Sequence, residues 1–227
     1  MSLAALLARY RLRHAAYVPA TSAVLDLGFN GANGSTTIPD VYGHTVTASG
    51  AVALSTTSPY EGSASCNFPG GASDYLSIPT DPLFAWGTAD GAIEIPICPT
   101  TVAPSIQILC TTIDGLSLQT GFYFLLAGSQ LQFSHYTASG TADVGVAGTG
   151  GTIVINTWQV ARVEKVTTGG VCTYTLKIDG VVVGSGTGIA NMVDSFAPLV
   201  FGKDPRNPGR VFSGKMDRAR VFKGGIS

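Results

Sequence analysis

One short segment toward the end of the chain constrains the fold more than any other. Apolar and polar side chains alternate without a break from Cys172 to Ile178, and this two-residue period is typical of a β-strand with one buried face. Asp179 and Gly180 follow, and a second apolar run then extends to Val183. Both central positions of a two-residue hairpin turn favour residues that accept a positive φ. The sequence therefore predicts an antiparallel β-hairpin at this point.

Shorter alternations earlier in the chain predict further strands. Isoleucines alternate around Glu94 from Ile93 to Ile97, and a similar pattern runs from Leu131 to His135. The 29 glycines and 12 prolines among 227 residues fit many short strands joined by tight turns. No helical period appears after residue 20. We therefore expect an all-β, antiparallel, two-sheet sandwich over residues 23–227.

The first 22 residues differ from those that follow. Apolar residues recur there at helical spacing, and three arginines occur with no acidic residue before Asp26. Pro19 disfavours helix beyond it. A helix this short is marginal without packing partners, so residues 1–22 are expected to form a basic amphipathic arm that docks on its own sandwich or on another chain. The residues expected at such an assembly interface are Leu3, Leu6, Leu7, Arg9, Tyr10, Arg11 and Arg13.

Charge and hydropathy argue against several classes of protein. The formal net charge is −1 and only 12% of residues are charged, whereas a nucleic-acid binder normally carries a basic footprint. The apolar run from Leu3 to Ala8 is too short to span a bilayer. Positive charges follow this run, the reverse of the order in a secretory signal. We therefore expect no nucleic-acid partner, no membrane insertion and no signal peptide.

The cysteines give no sign of a zinc site. They are widely spaced and form no C-x-x-C pair, whereas zinc requires clustered ligands. Free cysteines often behave as small buried apolar residues, and we expect that role here, although a disulfide is also open. The four residues are Cys66, Cys98, Cys110 and Cys172.

Five motifs occur in a definite order along the chain. They are D-V-Y-G at 40–43, D-Y-L-S-I at 74–78, N-T-W-Q-V-A at 156–161, Y-T-L-K-I-D-G at 174–180 and F-S-G-K-M-D-R-A-R-V at 212–221. Their order and spacing resemble the laminin-G-like, or concanavalin A-like, jelly-roll family. The resemblance covers residues 24–227 and implies a jelly-roll sandwich. Because this family is functionally broad, the fold does not decide the function.

The resemblance also bears on calcium. Many relatives hold Ca²⁺ near their opening and closing segments, and the matching positions here are Asp40, Asp74 and Asp217. Such oxygen ligands suit Ca²⁺. The simpler expectation is that these aspartates are structural and hydrogen-bonded. We therefore assign no metal, and Ca²⁺ remains an open alternative. Asp217 shares strand parity with Ala219 and Val221, so it is expected to point inward and to need an arginine, a backbone amide or an ion as partner.

Catalytic groups are not evident in the sequence. Glucanases of this fold use paired carboxylates on one strand, but no glutamate here has an acidic neighbour two residues away. No G-x-S-x-G elbow and no phosphate loop occur. His135 occupies an apolar strand position, where a core histidine is the better expectation. We therefore predict no enzymatic activity. The residues considered were Glu61, Glu94, Glu164, His14, His44 and His135.

Two further groups of side chains have a structural interpretation. Trp158 lies in a core-strand motif of the family, so we expect it in the core, whereas the place of Trp86 is open. Basic residues between Lys203 and Arg220 lack interleaved aromatic residues at stacking spacing. We expect these cations to be solvated or paired.

The resemblance and the arm together predict a non-enzymatic structural and adhesive virion protein of a tailed bacteriophage, because similar domains occur as decoration, head-fibre or tail modules. The arm would attach it to a neighbouring virion protein. We further expect the protein to form a homo-oligomer and to bind a host-surface glycan. The alternative is an extracellular, calcium-dependent carbohydrate-binding module. Its signature would be exposed aromatic and acidic side chains that converge at one edge.

Overall fold

The described part of the chain consists of β-strands, their connections and one 3₁₀ turn, Pro82–Phe84. The computed structural model describes residues 22–102, 106–113, 120–137, 142–189, 191–192 and 195–224. The strands in chain order are β1 (Ala23–Leu27), β2 (Thr47–Ser49), β3 (Ala53–Ser55), β4 (Ser65–Phe68), β5 (Tyr75–Ile78), β6 (Gly91–Pro99), β7 (Ile106–Thr111), β8 (Gly121–Ala127), β9 (Gln130–Tyr136), β10 (Ala142–Ala147), β11 (Gln159–Thr168), β12 (Val171–Ile178), β13 (Val181–Gly188), β14 (Leu199–Phe201), β15 (Lys203–Asp204), β16 (Asn207–Val211), β17 (Gly214–Met216) and β18 (Ala219–Lys223).

These strands form two large antiparallel sheets that share one core. The first sheet has the order β13-β12-β11-β6-β17-β4-β3, and β18 joins it by pairing with β6 and β1. The second has the order β10-β9-β8-β7-β14-β5-β2, and β15 and β16 form a small separate ribbon. The all-β, antiparallel, two-sheet sandwich expected from the sequence is confirmed. The expected helical arm falls on residues 1–21, which lie outside the described residues.

The predicted hairpin is present between β12 and β13. Ile178 pairs with Val181, and the two residues between them, Asp179 and Gly180, have φ values of 51° and 80°. The Asp179 carboxylate also accepts the backbone N–H of Val160 at 2.9 Å. The turn residues thus adopt the positive φ that a two-residue hairpin requires, and the turn is tied to the start of β11.

An aromatic stack joins the two sheets inside the core. Phe133 of β9 lies 6.0 Å from Trp86, 5.7 Å from Phe122 and 5.6 Å from Tyr174, measured between ring centroids. Tyr174 belongs to β12 in the opposite sheet, so these rings bridge the sandwich. All four side chains are buried. Offset stacking of this kind adds to the stabilisation that apolar burial already gives.

Close backbone contact joins the two sheets along one flank of the sandwich. β13 ends the first sheet and β10 ends the second. At Gly184, a Cβ atom would lie 2.4 Å from the backbone oxygen of Ala147 in β10. Gly188 is similarly crowded by Val144. Glycines in β13 therefore allow β10 to approach closer than a side chain would permit.

The outer face of the first sheet carries a charge network across four neighbouring strands. Arg162 contacts Glu94 and Glu164 at 2.7 Å each, Lys177 contacts Glu164 at 2.6 Å, and Arg220 also pairs with Glu94. Burial alone raises the pKa of Glu94, but the guanidinium groups of Arg220 and Arg162 outweigh it and bring the pKa below its ordinary value. Opposite charges on adjacent strands support the pairing.

The cysteines are all free thiols. Cys66, Cys110 and Cys172 are buried, as expected, whereas Cys98 is partly exposed. Among the described residues there is also no helix with the length and apolar character needed to cross a membrane.

Candidate functional site

Two aromatic side chains meet at the protein surface beside the start of β11. The ring centroids of Tyr60 and Trp158 are 5.8 Å apart, with 55° between the ring planes. Both residues are half-buried. The indole N–H of Trp158 donates to the carbonyl oxygen of Ser58 at 3.0 Å. This bond attaches the ring to the loop that carries Tyr60, so the two aromatic groups are held as a pair.

An ion pair stands next to these rings. Glu61 follows Tyr60 directly, and its carboxylate lies 2.8 Å from the Arg218 guanidinium. The two side chains retain 21% and 15% of their accessible surface, respectively. We call the four residues Tyr60, Glu61, Trp158 and Arg218 the platform. It places aromatic faces and both signs of charge within one small surface region.

A buried carboxylate beneath the platform fixes the loop. One oxygen of Asp217, Oδ2, accepts the backbone N–H groups of Tyr60 at 2.9 Å and of Glu61 at 3.0 Å. Burial raises the pKa of Asp217 to about 7, although these N–H groups oppose the shift. The sequence prediction that this aspartate points inward and needs a partner is confirmed, and backbone amides are its partners.

A shallow cleft borders the platform. Gly28 at the cleft directly follows β1, whose last residue, Leu27, pairs with Ala219, the residue after Arg218. Asn30 at the cleft also accepts the N–H of Ser63 at 2.7 Å, close to the loop that carries Glu61. The cleft has a volume of about 180 Å³ and is lined by Gly28, Phe29, Asn30, Pro39, Asp40 and Val41.

The other two aspartates that match the family's calcium positions stabilise separate turns. The Asp40 carboxylate accepts the N–H groups of Asp26 at 2.7 Å and His44 at 3.1 Å, and lies 2.6 Å from the His44 ring. Asp74 accepts from Ala51 and Gly71, each at 2.7 Å. These carboxylate oxygens therefore already accept hydrogen bonds from backbone N–H groups.

No calcium site follows from these three aspartates. Asp40, Asp74 and Asp217 bind different turns rather than one common centre. Within the described ranges, no group of three or more histidine, cysteine or acidic side chains is arranged to hold a metal. These three carboxylates therefore do not fit a shared Ca²⁺ site, which needs several converging oxygens.

The expectation for Trp158 was wrong. It is half-buried at the platform, whereas Trp86 is fully buried against Phe133. Alternation along the strand could have predicted the outward position of Trp158. It is an even number of residues from Arg162, which faces outward with 13% of its side chain exposed. Ala161 and Val163 alternate with it and are fully buried.

The remaining candidate side chains are engaged in pairs. His135 is buried, as expected, with its Nδ1 2.8 Å from the Asp143 carboxylate. Each glutamate considered as a catalytic group contacts an arginine. Among the basic residues near the C-terminus, Arg210 pairs with Asp204 at 3.2 Å, and Lys203 lies 4.8 Å from the centroid of the Tyr75 ring.

The predicted assembly residues all belong to the arm. Leu3, Leu6, Leu7, Arg9, Tyr10, Arg11 and Arg13 lie outside the described residues. Their role therefore stays a prediction.

Solved structures with the same architecture include two toxin domains. They are the receptor-binding domain of botulinum neurotoxin type G (TM-score 0.65, 12% identity) and the binding domain of Paraclostridial mosquitocidal protein 1 (TM-score 0.68, 15% identity). Each alignment covers 91% of this chain, which spans only 49% and 50% of those domains. The similarity shows the fold of the sandwich.

A bacterial enzyme contains a domain of matching size. It is domain 4 of AbnA, an extracellular arabinanase from Geobacillus stearothermophilus, solved in complex with arabinotriose. The TM-score is 0.62 at 14% identity, and the alignment covers 91% of this chain and 95% of that domain. No curated protein matches the sequence. Residues 69–227 match the model of the concanavalin A-like lectin/glucanases superfamily in its laminin-G form, and since this match covers more than half of the chain, the protein belongs to that superfamily.

Proposed function

We propose that this chain is a glycan-binding module and that the platform is its binding site. The observation that carries the proposal is the half-buried Tyr60–Trp158 pair beside the Glu61–Arg218 ion pair. A sugar ring presents C–H groups on its faces and hydroxyl groups at its rim. Tyrosine and tryptophan offer large apolar faces to the former, and the carboxylate and guanidinium offer acceptors and donors to the latter. The platform thus combines apolar contact area with a few placed polar groups, as binding sites generally do.

One of the similar proteins supports the same class of ligand. The AbnA domain was solved with arabinotriose, and the two toxin domains are described as binding domains. Arabinotriose is therefore a reasonable first probe, followed by a broad glycan array. The proposal differs from the calcium-dependent alternative, because the platform binds through rings and an ion pair. We expect binding to persist in the presence of a chelator.

Trp158→Ala is expected to weaken glycan binding about tenfold or more, since a central aromatic side chain commonly dominates an interface. The measurement is isothermal titration calorimetry with arabinotriose or with the strongest array ligand. Phe196→Ala is the matched control, because Phe196 is an aromatic residue with 79% of its surface exposed and lies outside the platform. Circular dichroism should show both variants folded.

Three results would contradict the proposal. Wild-type affinity retained by Trp158→Ala would exclude the platform as the site. Equal losses in Trp158→Ala and Phe196→Ala would indicate a general effect on the surface rather than a specific site. Absence of any array ligand, with and without chelator, would leave the chain without a glycan-binding role.

We further propose that the glycan-binding body is carried by a virion of a tailed bacteriophage and attached through residues 1–22, without catalytic activity of its own. The basis is the sequence of the arm, where apolar and basic residues are combined. Burial of its leucines would supply affinity, and its arginines would mainly affect association rate and orientation.

Deletion of residues 1–18 is expected to abolish incorporation into particles and to leave the sandwich folded. The measurement is reconstitution with the neighbouring virion proteins, with the full-length chain as reference. A second variant replaces Arg9, Arg11 and Arg13 by alanine. It should lower the rate of assembly more than the affinity for the neighbouring protein. If the truncated chain still assembles, attachment through the arm is excluded while the glycan proposal is unaffected.

A further inference from the structure

We propose that Asp217 is the positioning residue of the platform, and that its ionised carboxylate holds Tyr60 and Glu61 in the arrangement that binds glycan. This inference rests on the proposed function, since it concerns the same surface. It adds a dependence of glycan affinity on pH that the platform residues by themselves do not give. Asp217 would act through the loop without contacting the ligand.

One carboxylate oxygen of Asp217 is hydrogen-bonded to two platform residues. Oδ2 of Asp217 accepts both consecutive backbone N–H groups, those of Tyr60 and Glu61. The aspartate itself is fully buried. Its second oxygen, Oδ1, is buried as well and has no hydrogen-bond partner among the described residues. Lys215 of β17 also donates to the carbonyl oxygen of Thr57 in the same loop. The N–H groups of Tyr60 and Glu61, however, share this one carboxyl group as their acceptor.

The surroundings make Asp217 the group that changes charge. From the loop, Glu61 faces it and is paired with Arg218, the residue that follows Asp217. From β4, Cys66 faces it, and burial together with the charge of Asp217 raises the pKa of that thiol far above neutrality. Tyr60 contributes its backbone N–H. A neutral thiol and a compensated ion pair leave the carboxyl as the variable charge.

Glycan affinity should rise with pH through the neutral range. Burial raises the pKa of Asp217 to about 7, against the effect of the Tyr60 and Glu61 amides. An ionised acceptor forms hydrogen bonds about twice as strong as a neutral one. Above the pKa the loop is thus held firmly, and below it the same N–H groups have a weaker acceptor.

Stability should change in the opposite direction. The pKa of Asp217 in the folded protein lies above its ordinary value of 3.8, so the folded state binds the proton more tightly than the unfolded chain does. Its contribution to stability is therefore complete below the ordinary pKa and is lost as pH rises through about 7. A residue with a merely structural role would not make affinity increase while stability decreases.

The test compares affinity and stability across pH in three proteins. Arabinotriose, or the array ligand of highest affinity, is titrated at about pH 5.5 and about pH 8.5, on either side of neutrality. We expect the wild type to bind about fivefold more weakly at the lower pH. Asp217→Asn should bind weakly at both values, with no pH dependence. His44→Gln, which removes a histidine outside the platform, should keep the wild-type profile.

A second measurement applies if Asp217→Asn does not fold. Trp158 lies beside Tyr60, so its fluorescence in the wild type should change with a midpoint near pH 7, and Trp158→Phe should lose this change. Wild-type affinity that is equal at both pH values would overturn the inference. If affinity is flat with pH while Trp158→Ala still abolishes binding, only this inference fails and the proposed function stands.

Discussion

Replacing Phe133 with alanine is expected to lower the free energy of unfolding by about 3–5 kcal/mol. Phe133 is completely buried and contacts three other aromatic rings, those of Trp86, Phe122 and Tyr174. Its removal would leave a cavity at the centre of the stack that joins the two sheets. Because Tyr174 and Phe133 come from opposite sheets, neither sheet can close this cavity without shifting against the other.

Urea denaturation followed by circular dichroism measures this loss. Phe196→Ala is the matched control, since the same truncation at a side chain with 79% exposure should change stability by less than about 0.5 kcal/mol. A loss below about 1 kcal/mol for Phe133→Ala would mean that the core repacks around the gap. In that case the stack would not be the link between the sheets that its geometry indicates.

Gly184→Val is expected to destabilise the domain by about 3 kcal/mol or more. A Cβ atom at Gly184 would lie 2.4 Å from the backbone oxygen of Ala147. A backbone atom cannot rotate out of the way as a side chain can, so β10 and β13 would have to separate. The flank where the two sheets meet would then open, and water would reach the core beneath it.

Gly145→Ala is the control for this substitution. Gly145 belongs to β10, the facing strand, but a Cβ atom there would meet nothing within 4 Å. The change should be neutral or slightly stabilising, because alanine restricts the unfolded chain more than glycine does. Thermal unfolding of both variants gives the comparison. Equal unfolding temperatures would show that the flank accommodates side chains and that close approach is not required there.

The sequence contains the local part of the fold. Alternation from Cys172 to Ile178 sets which side chains are buried, and the turn residues Asp179 and Gly180 specify the hairpin, because both effects act between near neighbours. The order of the strands in each sheet is a different matter. β6 pairs with β11, β17 and β18, and these partners are brought together by packing of the whole chain.

The candidate site is less visible in the sequence for the same reason. Tyr60 lies in a loop without any period, and 157 residues separate it from Asp217, whose carboxylate holds it. The inward direction of Asp217 follows from strand parity, but its partner does not. The outward position of Trp158 could have been predicted, because Trp158 is an even number of residues from Arg162 and therefore lies on the same, outer face. The family motif was misleading at this position.

All four cysteine residues are unlinked in this sandwich. No covalent bridge therefore contributes to the difference between the folded and unfolded chain, and cohesion comes from burial and pairing alone. The fold should tolerate dithiothreitol and glutathione without any change in melting behaviour, since there is no cross-link for a reductant to cut. Oxidants have little access to Cys66, Cys110 and Cys172, which are buried, so Cys98 is the one cysteine that a thiol-labelling reagent or peroxide would reach in the intact protein.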